Sequence, residues 1–178
     1  MFLDFLFAKK KPVTQASAAA APPPPAAAPA VEAPGTHIHY HPDLVDQLKA
    51  DHQALLATFG RIQAAFEAGQ LGECAAALEH FRGQLTAHLL KENVRFYIYL
   101  EHALAGDRAS HDLVHQFRHE MDGIGKAAVG FLDKYRAVAT DPALAAGFAA
   151  DLAGVGAILG QRIRNEEETL YPLYLPAY

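Results

Sequence analysis

The chain has 178 residues, 51% of them apolar, and a formal net charge of −5. This is enough for one domain with a real core and too little for two large ones. The mild acidity, with no basic helix or patch, argues against nucleic acid as a partner, and a single cysteine, Cys74, excludes an internal disulfide or a cysteine-built zinc site.

Residues 1–12, MFLDFLFAKKKP, form an apolar–basic tip. Phe2, Leu3, Phe5 and Leu6 are suited to dip into a membrane interface while Lys9, Lys10 and Lys11 face anionic headgroups; the alternative is a frayed apolar terminus that docks on a protein partner or on nothing. The basic run follows the apolar one, the reverse of a secretory signal. No stretch is expected to approach the roughly 20 apolar residues of a spanning helix. The expected compartment is the cytoplasm, with the tip available to the inner face of a membrane.

Residues 13–41 read as a disordered Ala/Pro-rich linker. Pro22 to Pro25 fix φ and lack amide donors, so the segment is extended and semi-rigid. His37, His39 and His41 alternate at its end and read as a solvated lead-in to the first helix.

Four amphipathic helices follow within residues 42–175. The first, about 42–68, has an inward stripe of Leu44, Leu48, His52, Leu55, Phe59, Ile62 and Phe66. The second, about 73–105, places Leu78, Phe81, Leu85, His88, Glu92, Phe96 and Tyr99 inward. The third, about 110–138, turns Val114, Phe117, Met121, Ile124, Ala128, Phe131 and Tyr135 to the core. Asp141-Pro142 caps the fourth, whose stripe is Leu144, Phe148, Val155, Leu159, Arg162, Glu166 and Leu170. Each rod spans about 40–50 Å at 1.5 Å per residue, and short connections force antiparallel neighbours. The expected fold is all-α, an up-down-up-down four-helix bundle.

His88 and Glu92 share one face because they are four residues apart, and a buried carboxylate needs a cation, metal or donor to meet it. The same hairpin occurs twice. KADHQALLATFGRI aligns with RHEMDGIGKAAVGF, setting His52 opposite Met121. HLLKENVRFYI aligns with RIRNEEETLYP, setting His88 opposite Arg162, Glu92 opposite Glu166 and Tyr97 opposite Tyr171.

In this ordered set the chain resembles the hemerythrin-like family of HHE cation-binding domains, over about residues 42–175. The resemblance implies one His from the first helix and His-x-x-x-Glu from the second helix of each hairpin. It also implies a non-haem iron pair used in binding or sensing oxygen, sensing iron or repairing nitrosylated iron centres. Carried over by position, His52, His88 and Glu92 fill the first hairpin's three places. In the second hairpin Met121 and Arg162 stand where histidines are expected, and Glu166 alone remains.

A guanidinium cannot ligate a cation, but it can donate a fork of hydrogen bonds to Glu92 and Glu166. Arg162 is therefore expected to replace the second metal. Two readings of the other half stand side by side. In one, His52, His88, Glu92 and Glu166 hold a single Fe, Mn or Zn ion; in the other, no metal is bound and the histidines hydrogen-bond carboxylates already paired with Arg162. The expected function is a regulatory or sensory binding module, with a working non-haem iron protein and a purely structural interaction domain as alternatives. No nucleophile–base pair or phosphate-cradling loop suggests an enzyme. His111, His115 and His119 share a solvated face of the third helix, and Tyr97, Tyr99, Tyr171 and Tyr174 read as packing residues with their hydroxyls at water.

Overall fold

A computed structural model describes residues 32–177; the tip and linker residues 13–31 lie outside the described residues. The described chain is all-helical apart from one isolated antiparallel bridge, Glu32 to His39. Helix α1 is Leu44–Glu67. Helix α2, Leu71–Lys91, runs without a break through a π turn, Glu92–Tyr97, into α3, Ile98–Ala103. Helix α4 is Arg108–Lys134, and α5, Pro142–Asn165, continues through a second π turn, Glu166–Leu170. These make the four expected rods.

Their ends follow from local chemistry. Gly69, at φ 69°, closes α1 in a conformation that costs other residues strain. Asp107 accepts from the amides of Ala109 and Ser110 to start α4, and Asp141 accepts from Ala143 to start α5, where Pro142 gives up no needed donor.

Two apolar clusters fill the interior. One gathers Ile62, Phe81, Leu85, Phe131, Leu132 and Phe148; the other gathers Leu44, Leu48, Phe96, Tyr99, Leu100 and Val114. Each rod changes cluster at one level: α1 between Leu48 and Leu55, the second rod between Leu85 and Phe96. The buried polar residues His52, His88, Glu92, Arg162 and Glu166 occupy that level.

Two expectations change here. Residues 32–41 are not a free linker: Ala33 is buried, its amide bonds to the Ile38 carbonyl, and the His41 amide donates to the Tyr174 hydroxyl at 3.0 Å. The Thr36 hydroxyl, bonded to the Ala33 carbonyl, supplies the turn that proline-rich composition hides. Secondly, α5 and its continuation, Pro142–Leu173, are long and apolar enough to cross a membrane by length and composition, with mean hydropathy 1.7 over the best 18 residues. That apolarity comes from Leu, Val, Ile and Phe interspersed among many alanines, with Asp151 inside the stretch. The same helix sends Phe148 and Leu152 into the core and Arg162 and Glu166 into the buried polar level.

Candidate metal centre

His52 enters from α1, His88 from the end of α2, and Glu92 and Glu166 from the first residues of the two π turns; all four are 4% exposed or less. The ligand atoms of His52, His88 and Glu166 all lie within 4.8 Å of one another. His52 Nε2 is 3.2 Å from a Glu166 oxygen, and His88 Nε2 is 4.0 Å from a Glu92 oxygen. Glu92 thus flanks the three-residue set.

Both imidazoles carry a carboxylate behind them. His52 Nδ1 meets Glu167 at 2.8 Å. Asp51 lies 3.5 Å from His88 Nδ1, which makes no hydrogen bond, and Asp51 is itself held by the Lys91 ammonium at 2.7 Å. A carboxylate at Nδ1 favours the tautomer with its proton there and leaves the Nε2 lone pair facing inward, the arrangement in which histidines ligate metals. Neutral His52 in that tautomer aims a lone pair at the Glu166 carboxylate, which is repulsive unless a proton or a cation lies between them. The 3.2 Å between His52 Nε2 and the Glu166 oxygen is also the separation of two ligands about 2.1 Å from a common ion, and a small inward shift would bring the rest of the set, spread within 4.8 Å, to the same ion. The donor set, two imidazoles with one or two carboxylates, suits Fe, Mn or Zn. The residues fit one metal ion.

Arg162 completes the level from α5. Its Nε donates to Glu166 and its second terminal nitrogen donates to the Tyr97 hydroxyl at 2.6 Å; the guanidinium lies 4.8 Å from the centre of the Phe117 ring. The remaining nitrogen has no hydrogen bond and lies 3.7 Å from Glu120. The fork was expected to join Glu92 and Glu166. It joins Glu166 and a tyrosine instead, and Glu92 receives the Tyr171 hydroxyl at 3.3 Å. Met121 is buried and makes part of an apolar cavity wall beside His88.

The charges follow these contacts. Burial, then repulsion from Glu166, pushes the Glu92 carboxyl well above its ordinary range. Burial alone would raise Glu166 too, but its hydrogen bond with His52 and the charge of Arg162 hold it below its usual value. Burial would lower His52, and its hydrogen bonds to Glu166 and Glu167 outweigh that and raise it. His88, with burial dominant, is lowered. A guanidinium with one ionised carboxylate and one carboxyl inclined to keep its proton is close to balanced without metal.

The tyrosines correct a sequence expectation. Tyr97 and Tyr171 are 1% and 3% exposed, with their hydroxyls inside the centre rather than at water. Tyr99 and Tyr174 bond to backbone at Leu175 and His41. Glu167, Asp51 and Lys91 were also missed, and only the alignment of Tyr97 with Tyr171 gave a signal for any of them. His115 and His119 are exposed and His111 is half-buried, all away from the centre; Cys74 is buried, and burial raises its thiol. The hemerythrin HHE cation-binding domain model matches residues 43–174, whereas no curated protein and no solved structure matches the chain.

Proposed function

This chain belongs to the hemerythrin HHE cation-binding family, and from that premise we propose that it is a binding module for a single metal ion, with Arg162 as a built-in cation in place of a second. The observation that carries the reading is the inward convergence of His52 Nε2, His88 Nε2 and a Glu166 oxygen, with carboxylates behind both imidazoles. Bound there, the ion supplies a Lewis-acidic, redox-capable centre if it is iron or manganese, and a fixed charge if it is zinc. The protein's own contribution is to orient the two imidazoles, exclude water and neutralise the carboxylates from the Arg162 side.

In this reading the rods run up-down-up-down, as connections too short for a crossover require. The module is regulatory or sensory and has no catalytic step, the ion or its redox state being the signal. Residues 1–12 tether it to a protein partner or to a membrane face. Deleting them should release it, and unchanged localisation would count against the tether.

Elemental analysis of protein prepared without chelator tests the metal reading. One Fe, Mn or Zn per chain, lost in His52→Ala and His88→Ala, is expected. Two irons per chain with an oxo-bridged absorption would remove the role given to Arg162. Protein that stays metal-free when titrated with all three ions would favour the purely structural alternative.

A further inference from the structure

The segment that folds back onto the bundle, residues 32–41, opens with a small hairpin. The Thr36 amide donates to the Ala33 carbonyl at 3.1 Å, the Ala33 amide donates to the Ile38 carbonyl at 2.8 Å, and Glu32 pairs with His39 in an antiparallel bridge. Pro34 and Gly35 fill the two central positions of the turn, and Gly35 takes the positive φ, 71°, that such a turn asks of its second one. Beyond the turn the strand alternates. Ile38 and Tyr40 pack against the second apolar cluster, while His37, His39 and His41 are exposed. Residues paired across a bridge share a face, so the exposed Glu32 stands on the histidine side. Alternation by itself gives these histidines no partner; the turn supplies one.

The Nδ1 atoms of His37 and His39 each lie 3.6 Å from a different oxygen of the Glu32 carboxylate. At that length neither contact is a hydrogen bond. Ligands about 2.0 Å from one ion stand about 2.8–3.3 Å apart, so each imidazole–carboxylate contact has to close by only roughly 0.5 Å. Bringing both rings onto one ion takes a side-chain rotation of His37, which is 99% exposed and free to turn. No residue is shared with the buried centre.

We propose that Glu32, His37 and His39 form a second, solvent-facing metal site for copper(II) or nickel(II), and that the ion clamps the hairpin shut where residues 13–31 join the bundle. Imidazole and carboxylate donors suit these ions. An open site imposes little geometry of its own, so affinity follows the intrinsic order of the divalent metals, highest for copper and lowest for manganese and iron. Manganese and iron at concentrations that fill the buried centre therefore leave this site empty. The proposal is independent of the metal-centre reading.

Stoichiometric copper(II) added to the full chain should give a tetragonal electron paramagnetic resonance signal split by two nitrogens. Joint His37→Ala and His39→Ala should abolish it, and Glu32→Gln should weaken copper several-fold in competition with glycine. All three side chains are exposed, so the helical circular dichroism should not change. His88→Ala should leave the signal in place. A signal that outlasts the loss of His37 and His39 but disappears in His88→Ala would assign the copper to the buried centre and overturn the site. One removed by His111→Ala, which breaks the exposed His111–His115 pair, would overturn it equally. Deuterium uptake at the Ala33 amide, read by mass spectrometry, should slow several-fold with nickel(II). Unchanged uptake in a chain that binds the ion through His37 and His39 would overturn the clamp alone.

Discussion

Tyr97 and Tyr171 stand five residues after Glu92 and Glu166, Tyr97 as the last residue of the π turn that begins at Glu92 and Tyr171 as the residue just after the one that begins at Glu166, and each hydroxyl crosses to the opposite hairpin. Tyr97 takes a hydrogen bond from Arg162 at 2.6 Å; Tyr171 gives one to Glu92 and lies 3.3 Å from His52 Nε2. In a π turn residues five apart share a face, and the Tyr171 amide bonds back to the Glu166 carbonyl in that pattern. The two half-repeats are thereby cross-braced at the level of the centre.

That bracing makes Tyr97→Phe informative. It deletes one oxygen and leaves a buried guanidinium N–H without its acceptor, which should cost about 1–3 kcal/mol. Urea denaturation of the metal-free protein measures it. A change within a few tenths of a kcal/mol would show that Arg162 finds another acceptor, with Glu120 nearest.

Arg162→Ala should cost more, about 3–5 kcal/mol in the absence of metal, because the Glu166 carboxylate is left buried without its cation. A divalent ion should recover more stability in this variant than in the parent chain, since it then meets no fixed positive charge. Equal recovery in the two proteins would contradict the stand-in role.

Met121→His combined with Arg162→His restores the imidazoles that the family pattern implies for the second hairpin. Calorimetric titration should then give two ions per chain instead of one. Retention of a single ion would mean that the Tyr97 and Glu120 side of the centre is shaped for arginine alone.

Glu167→Gln weakens the acceptor behind His52 without removing its volume. Cation affinity should fall about 10–100-fold, the usual effect of losing a partner of a ligating histidine, with the helical circular dichroism unchanged. An unaltered affinity would move His52 out of the ligand set.

The pH dependence follows from opposed shifts. His52, raised in the fold, adds stability that is complete below its unfolded value of 6.5 and is lost as pH rises through its folded value. Glu92, also raised, keeps a proton that the unfolded chain releases, so it too costs stability as pH rises above 4.5 toward its folded value. His88, lowered, has the reverse effect and costs stability as pH falls below 6.5. Metal-free protein should therefore melt at lower temperature at pH 8.5 than at pH 6.5. A bound ion, which takes the place of the His52 and Glu92 protons, should remove that fall, and its affinity should rise with pH. Thermal melts with and without the ion check both signs.

The sequence by itself determined the four rods, their capped ends and the side chains that meet at one level. Leucine, histidine and glutamate at intervals of three and four can share a core only on a helix face, and an arginine in that stripe must find an anion. Only the tertiary structure decided what Arg162 holds, where the tyrosine hydroxyls go and that residues 32–41 fold back onto the helices. A regular 3.6-residue period places Tyr97 and Tyr171 about 140° from Glu92 and Glu166. The π turns bring each pair onto one face, and what selects such a turn is packing between rods remote in sequence. Likewise the partner of His41 is Tyr174, 133 residues away, and no local pattern carries a contact of that span.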